Sequence, residues 1–400
     1  MPNNLKKPKH IVLVAGEESG DQHAAALVKQ LKQTDPSLIF TAIGGKHLEA
    51  EGIDLISDLA RFGVTGITEV LRHFKTIKKA FRAICSHLEK TKPDLLILVD
   101  YPGFNLRLAK FAKKKLGIQI LYYVSPQLWA WKPGRIHTIK ASVDHMAVIF
   151  PFEKKIYEDA AVPVSFVGHP LIKSLQQCRA SAPTRKALGL PENKQLLAVL
   201  PGSRTHEVER HLPLLSRVAE TLHAHFPDLH VVIPIAKTLS PEIIKKHWHT
   251  TTVPCSFIEG RAAQVVTCSD VVVVASGTAS LECALLEKPM CIIYKTGLIA
   301  YLAASILLRV QYIGLCNLLV NRMIVPELLQ YDFNHTELTQ VLTELLSSDK
   351  NHLTKKIQVE LKALNQSLSE EQADCSLPEL VLHLLDRKKS TQILTKRVAS

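Results

Sequence analysis

Reactive side chains follow apolar runs at several points in this sequence. Asp100 ends the run Leu95–Val99 and opens the turn Tyr101-Pro102-Gly103-Phe104-Asn105. A carboxylate at the C-terminal end of a strand, on a rigid proline turn, is placed to act as a general base. Asp100 and Asn105 are also favoured helix N-caps, and capping is the competing reading. In the second half, Pro201-Gly202-Ser203-Arg204 follows Leu196–Leu200. Its tight turn, hydroxyl and permanently charged fork donor suit a phosphate or pyrophosphate; a surface arginine beside a turn is the alternative. Ser276-Gly277-Thr278 follows Val271–Ala275, where small residues let the N–H groups of a helix start approach an anion. Glu282 lies one helical turn beyond Thr278 on the same face. A carboxylate there repels a phosphate but can accept hydrogen bonds from a neighbouring ribose diol; a capped helix with an unrelated acid fits equally well.

Together the two loops suggest a nucleotide diphosphate bound in the C-terminal half. No lysine-containing Walker pattern occurs, which argues against NTP hydrolysis, and no G-x-G-x-x-G follows the first strand, which weakens a dehydrogenase. That first strand, Ile11–Val14, is followed instead by a glycine loop carrying three carboxylates, Gly16-Glu17-Glu18-Ser19-Gly20-Asp21. Behind Ile120–Val124, the run Ser125-Pro126-Gln127-Leu128-Trp129-Ala130-Trp131-Lys132 concentrates two of the three tryptophans. These rings suit stacking on sugars or bases, or plain packing. Between 63 and 82, Ile67, Val70, Leu71, Phe74, Ile77 and Phe81 fall on one helical face, flanked by Arg72, Lys75, Lys78, Lys79 and Arg82. Such a helix lies on an anionic bilayer or covers a core with a solvated basic face.

The elements that must hold these loops alternate. Strand-like runs at Ile11–Val14, Leu38–Ile43, Leu95–Val99, Ile120–Val124, His145–Ile149 and Val164–Val167 are separated by helical patterns such as His23–Gln33 and Leu106–Lys115. A looser segment, Gln176–Lys194, precedes a second series at Gln195–Leu200, His230–Ile235, Val271–Ala275 and Met290–Tyr294. The alternation predicts βαβ units, parallel sheets and two doubly wound α/β halves. Ligands of such sheets sit beyond the C-terminal strand ends, and two halves place a cleft between them. From about 335 the sequence is helical and polar, ending in the basic tail Arg387–Arg397.

The chain has 400 residues, 46% apolar and 22% charged, a composition that fits a folded globular protein of two domains. Its net charge of +12 predicts an anionic partner: nucleic acid, an acidic membrane surface or a phosphorylated substrate. The eight cysteines form no C-x-x-C pair and read as reduced, buried thiols of a cytosolic protein. The basic N-terminus is followed by too short an apolar run for a signal peptide. The longest weakly polar stretch, Gly297–Leu308, is ended by Arg309 and falls short of the roughly twenty residues of a spanning helix.

The motifs VAGEESGD, IGG, VDYPGFN, YYVSPQLWAWKPGR, FPFEK, FVGHPL, LPGSR, ASGTASLE and NLLVNRMIVPELLQ, in this order and spacing, resemble the lipid-A-disaccharide synthase family over roughly residues 10 to 385. The resemblance implies a GT-B fold: two Rossmann-like doubly wound domains with a cleft between them and C-terminal helices. It implies an acceptor-binding and membrane-docking domain at 1–178, a UDP-sugar-binding domain at 179–375, and a helix and basic tail at 376–400. The implied activity condenses UDP-2,3-diacylglucosamine with 2,3-diacylglucosamine 1-phosphate (lipid X), inverting the anomeric carbon, with no metal and no cofactor. The family motifs fall on Glu17, Ser19, Gly20 and Asp21 for the acceptor side, and on Asp100 as general base. On the donor side they fall on Gly202, Ser203, Arg204, Ser276, Gly277, Thr278, Glu282 and Asn317. Many members carry a second acid where this chain has Gly103, so Asp100 stands as the sole acid of its loop.

On this reading the carboxylates of the first loop face sugar hydroxyls, while Gly16 and Gly20 let the chain approach a ring. Acylated substrates also turn Val64, Ile67, Val70, Leu71 and Phe74 into membrane or acyl-chain contacts. The family places the protein at the cytoplasmic face of a Gram-negative inner membrane, on an anionic surface. The C-terminal helices either return to the first domain or mediate a homodimer. Rival readings are another GT-B enzyme, such as a UDP-sugar epimerase or peptidoglycan transferase, or a nucleic-acid-binding protein. The last lacks any helix-turn-helix, zinc or RNA-recognition signature, and its charge forms no single stripe; no nucleic-acid partner is expected.

Overall fold

The computed structural model describes residues 8–60, 74–129, 133–172, 175, 178, 181, 183–236, 238–250, 252–297, 311–347, 352–369 and 373–386. The chain divides into two compact units: residues 1–169 with 370–400, and residues 170–369. The C-terminal segment therefore returns to the first unit, one of the two routes open to it from sequence.

In the first unit the described strands are β1 (His10–Ala15), β2 (Ile39–Gly44), β3 (Asp54–Asp58), β4 (Leu95–Val99), β5 (Ile120–Tyr123), β6 (His145–Val148) and β7 (Val164–Phe166). They form one sheet in the order β3-β2-β1-β4-β5-β6-β7, parallel at every pairing. The central strands β1 and β4 are continuous apolar runs, and Ile11–Ala15 and Leu95–Val99 are all buried. That pattern is expected of parallel strands covered on both faces. The helix Glu18–Thr34 buries Ala24, Leu27, Val28 and Leu31, spaced three and four apart on one side.

The edge strand β7 is covered by the returning C-terminal segment. Phe166 donates its N–H to Asp374 Oδ2 at 2.8 Å, and the Asp374 N–H donates to the Phe166 carbonyl at 2.9 Å. Lys154 Nζ bonds the other Asp374 oxygen at 2.6 Å. An exposed edge strand is thereby paired without a further strand.

The second unit contains β8 (Gln195–Leu200), β9 (Leu229–Ile235), β10 (Cys255–Glu259), β11 (Val271–Ala275), β12 (Met290–Tyr294) and β13 (Glu327–Leu329). Their order is β10-β9-β8-β11-β12-β13, again parallel at every pairing. In each sheet the strand order reverses once, between β1 and β4 and between β8 and β11. Loops leaving adjacent strands at such a reversal run to opposite faces and leave a crevice at the carboxyl ends. Glu17 and Asp100 leave the first reversal, and Arg204 and Ser276–Thr278 leave the second.

Candidate functional site

In the first unit, the glycine loop serves its own chain before any ligand. A Cβ on Gly16 would lie 2.2 Å from Tyr101 Cδ1, so the absent side chain makes room for the Tyr101 ring. Asp21 is wholly buried. Its Oδ1 accepts the Gly45 N–H at 2.8 Å and the Leu48 N–H at 3.4 Å, and its Oδ2 accepts the His47 N–H at 2.8 Å. It thus satisfies the open N–H groups at the start of the helix Lys46–Ala50. Cβ atoms on Gly44 and Gly45 would come within 2.8 and 3.1 Å of the same carboxylate, which accounts for the IGG motif. Glu18 is paired at the surface with Lys46 and His47. Gly20 is buried, Ser19 is exposed and Glu17 is half-buried. The Glu17 charge lies close enough to Tyr101 to help raise the phenol above its ordinary range, after burial as the main cause.

Asp100 and Tyr101 both adopt the left-handed region, with φ of 45° and 44°, and Val124, just beyond β5, has φ of 64°. Such values are sparse for residues with a Cβ and rarest for β-branched ones. The Asp100 N–H donates to the Tyr123 carbonyl at 2.9 Å. The Asp100 carbonyl accepts the Tyr122 hydroxyl at 2.6 Å and Asn105 Nδ2 at 2.8 Å. Burial raises the Asp100 carboxyl to about 6, against the opposing pull of the Tyr101 amide hydrogen bond and the Arg135 charge. The helix Pro102–Phe111 begins at the proline, with Tyr101 as N-cap and no side-chain cap bond. Neither Asp100 nor Asn105 therefore acts as its N-cap.

Trp129 is held by packing and by a 3.2 Å bond from its Nε1 to Glu153 Oε1, with its ring edge-on to Phe152. Trp131 and Lys132 lie outside the described residues. Burial pushes the Glu153 carboxyl up to about 8, with the indole donor pulling it the other way. Two histidines were assigned no role from the sequence, although His169 lies in the FVGHPL motif. His23 meets Tyr123 edge-on, and His169 lies over Phe150; burial lowers them to about 4 and about 3.

In the second unit the turn after β8 is folded around a carboxylate of its own chain. Gly202 has φ of 125°, and Glu207 Oε2 accepts the N–H groups of Ser203 at 2.9 Å and Arg204 at 3.2 Å. A Cβ on Gly202 would lie 2.3 Å from that oxygen. The Arg204 side chain remains half-exposed, 3.7 Å from the other Glu207 oxygen. His211, wholly buried, joins this turn to the exit of β12. Its Nδ1 bonds the Pro201 carbonyl at 2.6 Å, and its Nε2 accepts the Lys295 N–H at 3.1 Å. Those partners set the neutral tautomer with the proton on Nδ1, and burial lowers its pKa, which favours that form.

After β11, the Ser276 hydroxyl donates to the Ile313 carbonyl at 2.9 Å. Gly277 has φ of 148°, with nothing within 4 Å of where a Cβ would be. Gly277 and Thr278 are exposed at the start of the helix Thr278–Leu285, and Glu282 is half-buried one turn on. Burial raises the Glu282 carboxyl.

Asn317 is wholly buried. Its Nδ2 donates to the Val325 carbonyl at 2.8 Å and to Glu327 Oε1 at 2.7 Å, and its Oδ1 accepts the N–H groups of Ile324 and Val325 at 2.7 and 3.0 Å. Two donors and two acceptances use its full capacity. Glu327 also accepts the N–H groups of Ile313 and Gly314, both at 3.1 Å, tying the same segment to the Ser276 loop.

Of the expected lipid contacts, Val64, Ile67, Val70 and Leu71 lie outside the described residues. Phe74 opens the helix Phe74–Thr91 and is 54% exposed, beside exposed Lys75, Lys78, Lys79 and Arg82. The same helix buries Ala80, Ile84 and Leu88, so it carries both a core face and a basic solvent face. Among the described residues no helix is long and apolar enough to cross a membrane.

Comparison with known proteins bears on this arrangement. The family model described as lipid-A-disaccharide synthetase matches residues 11–383. The chain is 54% identical over 390 residues to "Lipid-A-disaccharide synthase 1" of Legionella pneumophila (strain Paris), covering 98% of this chain and 100% of the relative. It is 43% identical over 326 residues to the lipid-A-disaccharide synthase of Myxococcus xanthus, covering 82% and 85%. Among solved structures it is similar in fold to Acinetobacter baumannii MurG, with a TM-score of 0.56 at 14% identity, covering 95% of this chain and 100% of that one. The architecture is that of a GT-B glycosyltransferase.

Proposed function

The chain belongs to the lipid-A-disaccharide synthase family and is an enzyme of lipid A disaccharide synthesis, and on that premise we propose how its residues divide the reaction. Asp100 takes the proton of the acceptor 6-hydroxyl as that oxygen attacks the anomeric carbon of UDP-2,3-diacylglucosamine. The new C–O bond forms on the face opposite the diphosphate, and the electron pair of the breaking bond leaves with UDP. Lipid X is the acceptor. The product is the β-1′,6 disaccharide phosphate with inverted anomeric configuration. Charge growing on the leaving diphosphate is met by the Arg204 guanidinium and by the backbone N–H groups around Gly277 and Thr278. Gly202 and Ser203 shape the turn that carries Arg204. Ser276 anchors its loop, and Glu282 accepts the ribose hydroxyls. Asn317, saturated by its own chain, acts on the donor site by holding its floor.

On the acceptor side, Glu17 and Ser19 are the groups assigned to sugar hydroxyls. Gly20 and Asp21 support the loop from within, Asp21 through the start of the neighbouring helix. Phe74 and the basic side chains after it, with the expected contacts at 64–71, dock the enzyme on the anionic cytoplasmic face of the inner membrane.

The observation that carries this reading is the Asp100 carboxyl: half-buried at a strand end at the sheet's reversal, on a strained turn, and raised to about 6. A base with a pKa near working pH is both deprotonated and basic enough to take a proton. Replacing Asp100 by Asn should lower turnover at least about a hundredfold and leave UDP affinity unchanged. Full turnover in that variant would remove Asp100 from the mechanism.

A further inference from the structure

Asp100 and Tyr101 are consecutive residues with side chains, both in the left-handed region, at φ of 45° and 44°. Backbone of that kind persists only where its surroundings over-determine it. Here the peptide groups on either side of the Asp100 Cα are each fixed. The N–H is bound by the Tyr123 carbonyl at 2.9 Å. The carbonyl takes two donors, the Tyr122 hydroxyl at 2.6 Å and Asn105 Nδ2 at 2.8 Å. Both donors are wholly buried side chains, one from the neighbouring strand β5 and one from the helix that follows the turn. Asn105 Nδ2 also reaches the Val99 carbonyl at 3.1 Å and the Val14 carbonyl at 3.4 Å, so it spans the ends of β1 and β4.

Two further features accompany these contacts. Asn105 Oδ1 is buried with no hydrogen-bond partner among the described residues, so this amide's side-chain hydrogen bonds are made through its donors. The Tyr101 ring lies where a Cβ on residue 16 would fall 2.2 Å from it, so only glycine admits it there. Burial keeps the Tyr122 phenol protonated, with its pKa well above the ordinary range, and therefore able to donate.

We propose that Tyr122 and Asn105 are positioning residues that clamp the Asp100 carbonyl, hold the turn left-handed and so aim the Asp100 carboxylate at the acceptor hydroxyl. The proposal rests on Asp100 being the base. Neither residue touches substrate; both act through the direction that the Asp100 φ and ψ impose on its Cα–Cβ bond.

The test is a double-mutant cycle on the full-length enzyme, following UDP release. Tyr122→Phe removes one oxygen from an otherwise isosteric ring. It should lower kcat about tenfold and leave the donor KM within about twofold, because the binding surface is untouched. In an Asp100→Asn background the same substitution should cause no further loss, since the group it aims is gone. Should Tyr122→Phe fail to fold, Asn105→Leu, close to the asparagine in shape, runs the same cycle. An equal loss in both backgrounds, or no loss in the wild-type background, overturns the clamp while leaving Asp100 as base. Full turnover of Asp100→Asn alone overturns the base assignment and the clamp with it.

Discussion

Burial raises Asp100 to about 6, and the sign of this shift fixes how activity responds to pH. A general base works only when deprotonated. The fraction available therefore falls as pH drops through about 6, and kcat/KM should decline with it while remaining flat above. An acid limb near the ordinary carboxylate range, about 4, would show that the group is not desolvated as the fold implies. The position of Asp100 after an apolar run was legible in the sequence, and so was that of Arg204 on a tight turn after a strand. Their holders were not. Tyr122 reads as one more apolar residue of a strand, and nothing local marks its hydroxyl as the donor to a carbonyl 22 positions earlier. Glu207 reads as a surface acid of a helix, and its function shows only when the preceding turn is seen wrapped around it. The same holds for Asp21 and Asn317. Their motif membership was visible, but their saturation, of Asp21 by backbone N–H groups and of Asn317 by backbone groups and Glu327, depends on chain segments that meet only in the fold.

At the scale of elements, the strands that were legible are those whose side chains are buried on both faces. Val271–Ala275 and Leu95–Val99 are unbroken apolar runs because helices cover them above and below. The three strands without such a signal, β3, β10 and β13, all lie at sheet edges. Asp54–Asp58 and Cys255–Glu259 are mostly half-buried and correspondingly mixed in composition, and β13 has only three residues. An edge strand is paired by backbone on one side, so its side chains are under weaker demand to be apolar. His211 shows how two elements are joined across a sheet: it links the Pro201 carbonyl to the Lys295 amide from inside the helix Thr205–His225. Replacing it by Phe removes the donor to the buried Pro201 carbonyl, a loss of about 1–3 kcal/mol for a buried group, and leaves the Lys295 amide without its acceptor. The turn bearing Arg204 should loosen, raising KM for the UDP-sugar about tenfold and lowering the melting temperature. An unchanged KM with a lowered melting temperature would confine His211 to stability.

For the whole molecule, the net charge of +12 and the exposed Phe74–Arg82 face bear on where the enzyme works. Vesicles containing anionic lipid should bind the protein at low salt and release it near 1 M, where the screening length is about 3 Å. Phe74→Asp should weaken that binding. Equal binding to neutral vesicles, or indifference to salt, would count against an electrostatic dock. The two α/β units were legible from the alternation of runs along the chain, because each βαβ crossover leaves its period in the sequence. The return of the C-terminal segment to the first unit was one of two routes the sequence left open; its seat on β7 was not legible, since Asp374 reaches Phe166 across more than two hundred residues of sequence. The reaction proposed for this chain has a direct measurement. Purified enzyme is supplied with UDP-2,3-diacylglucosamine and 2,3-diacylglucosamine 1-phosphate, and UDP and the lipid products are followed by mass spectrometry. UDP and a disaccharide monophosphate should appear in equal amounts, only when both substrates are present. UDP release without the acceptor's incorporation, or turnover only with a different acceptor, would contradict it.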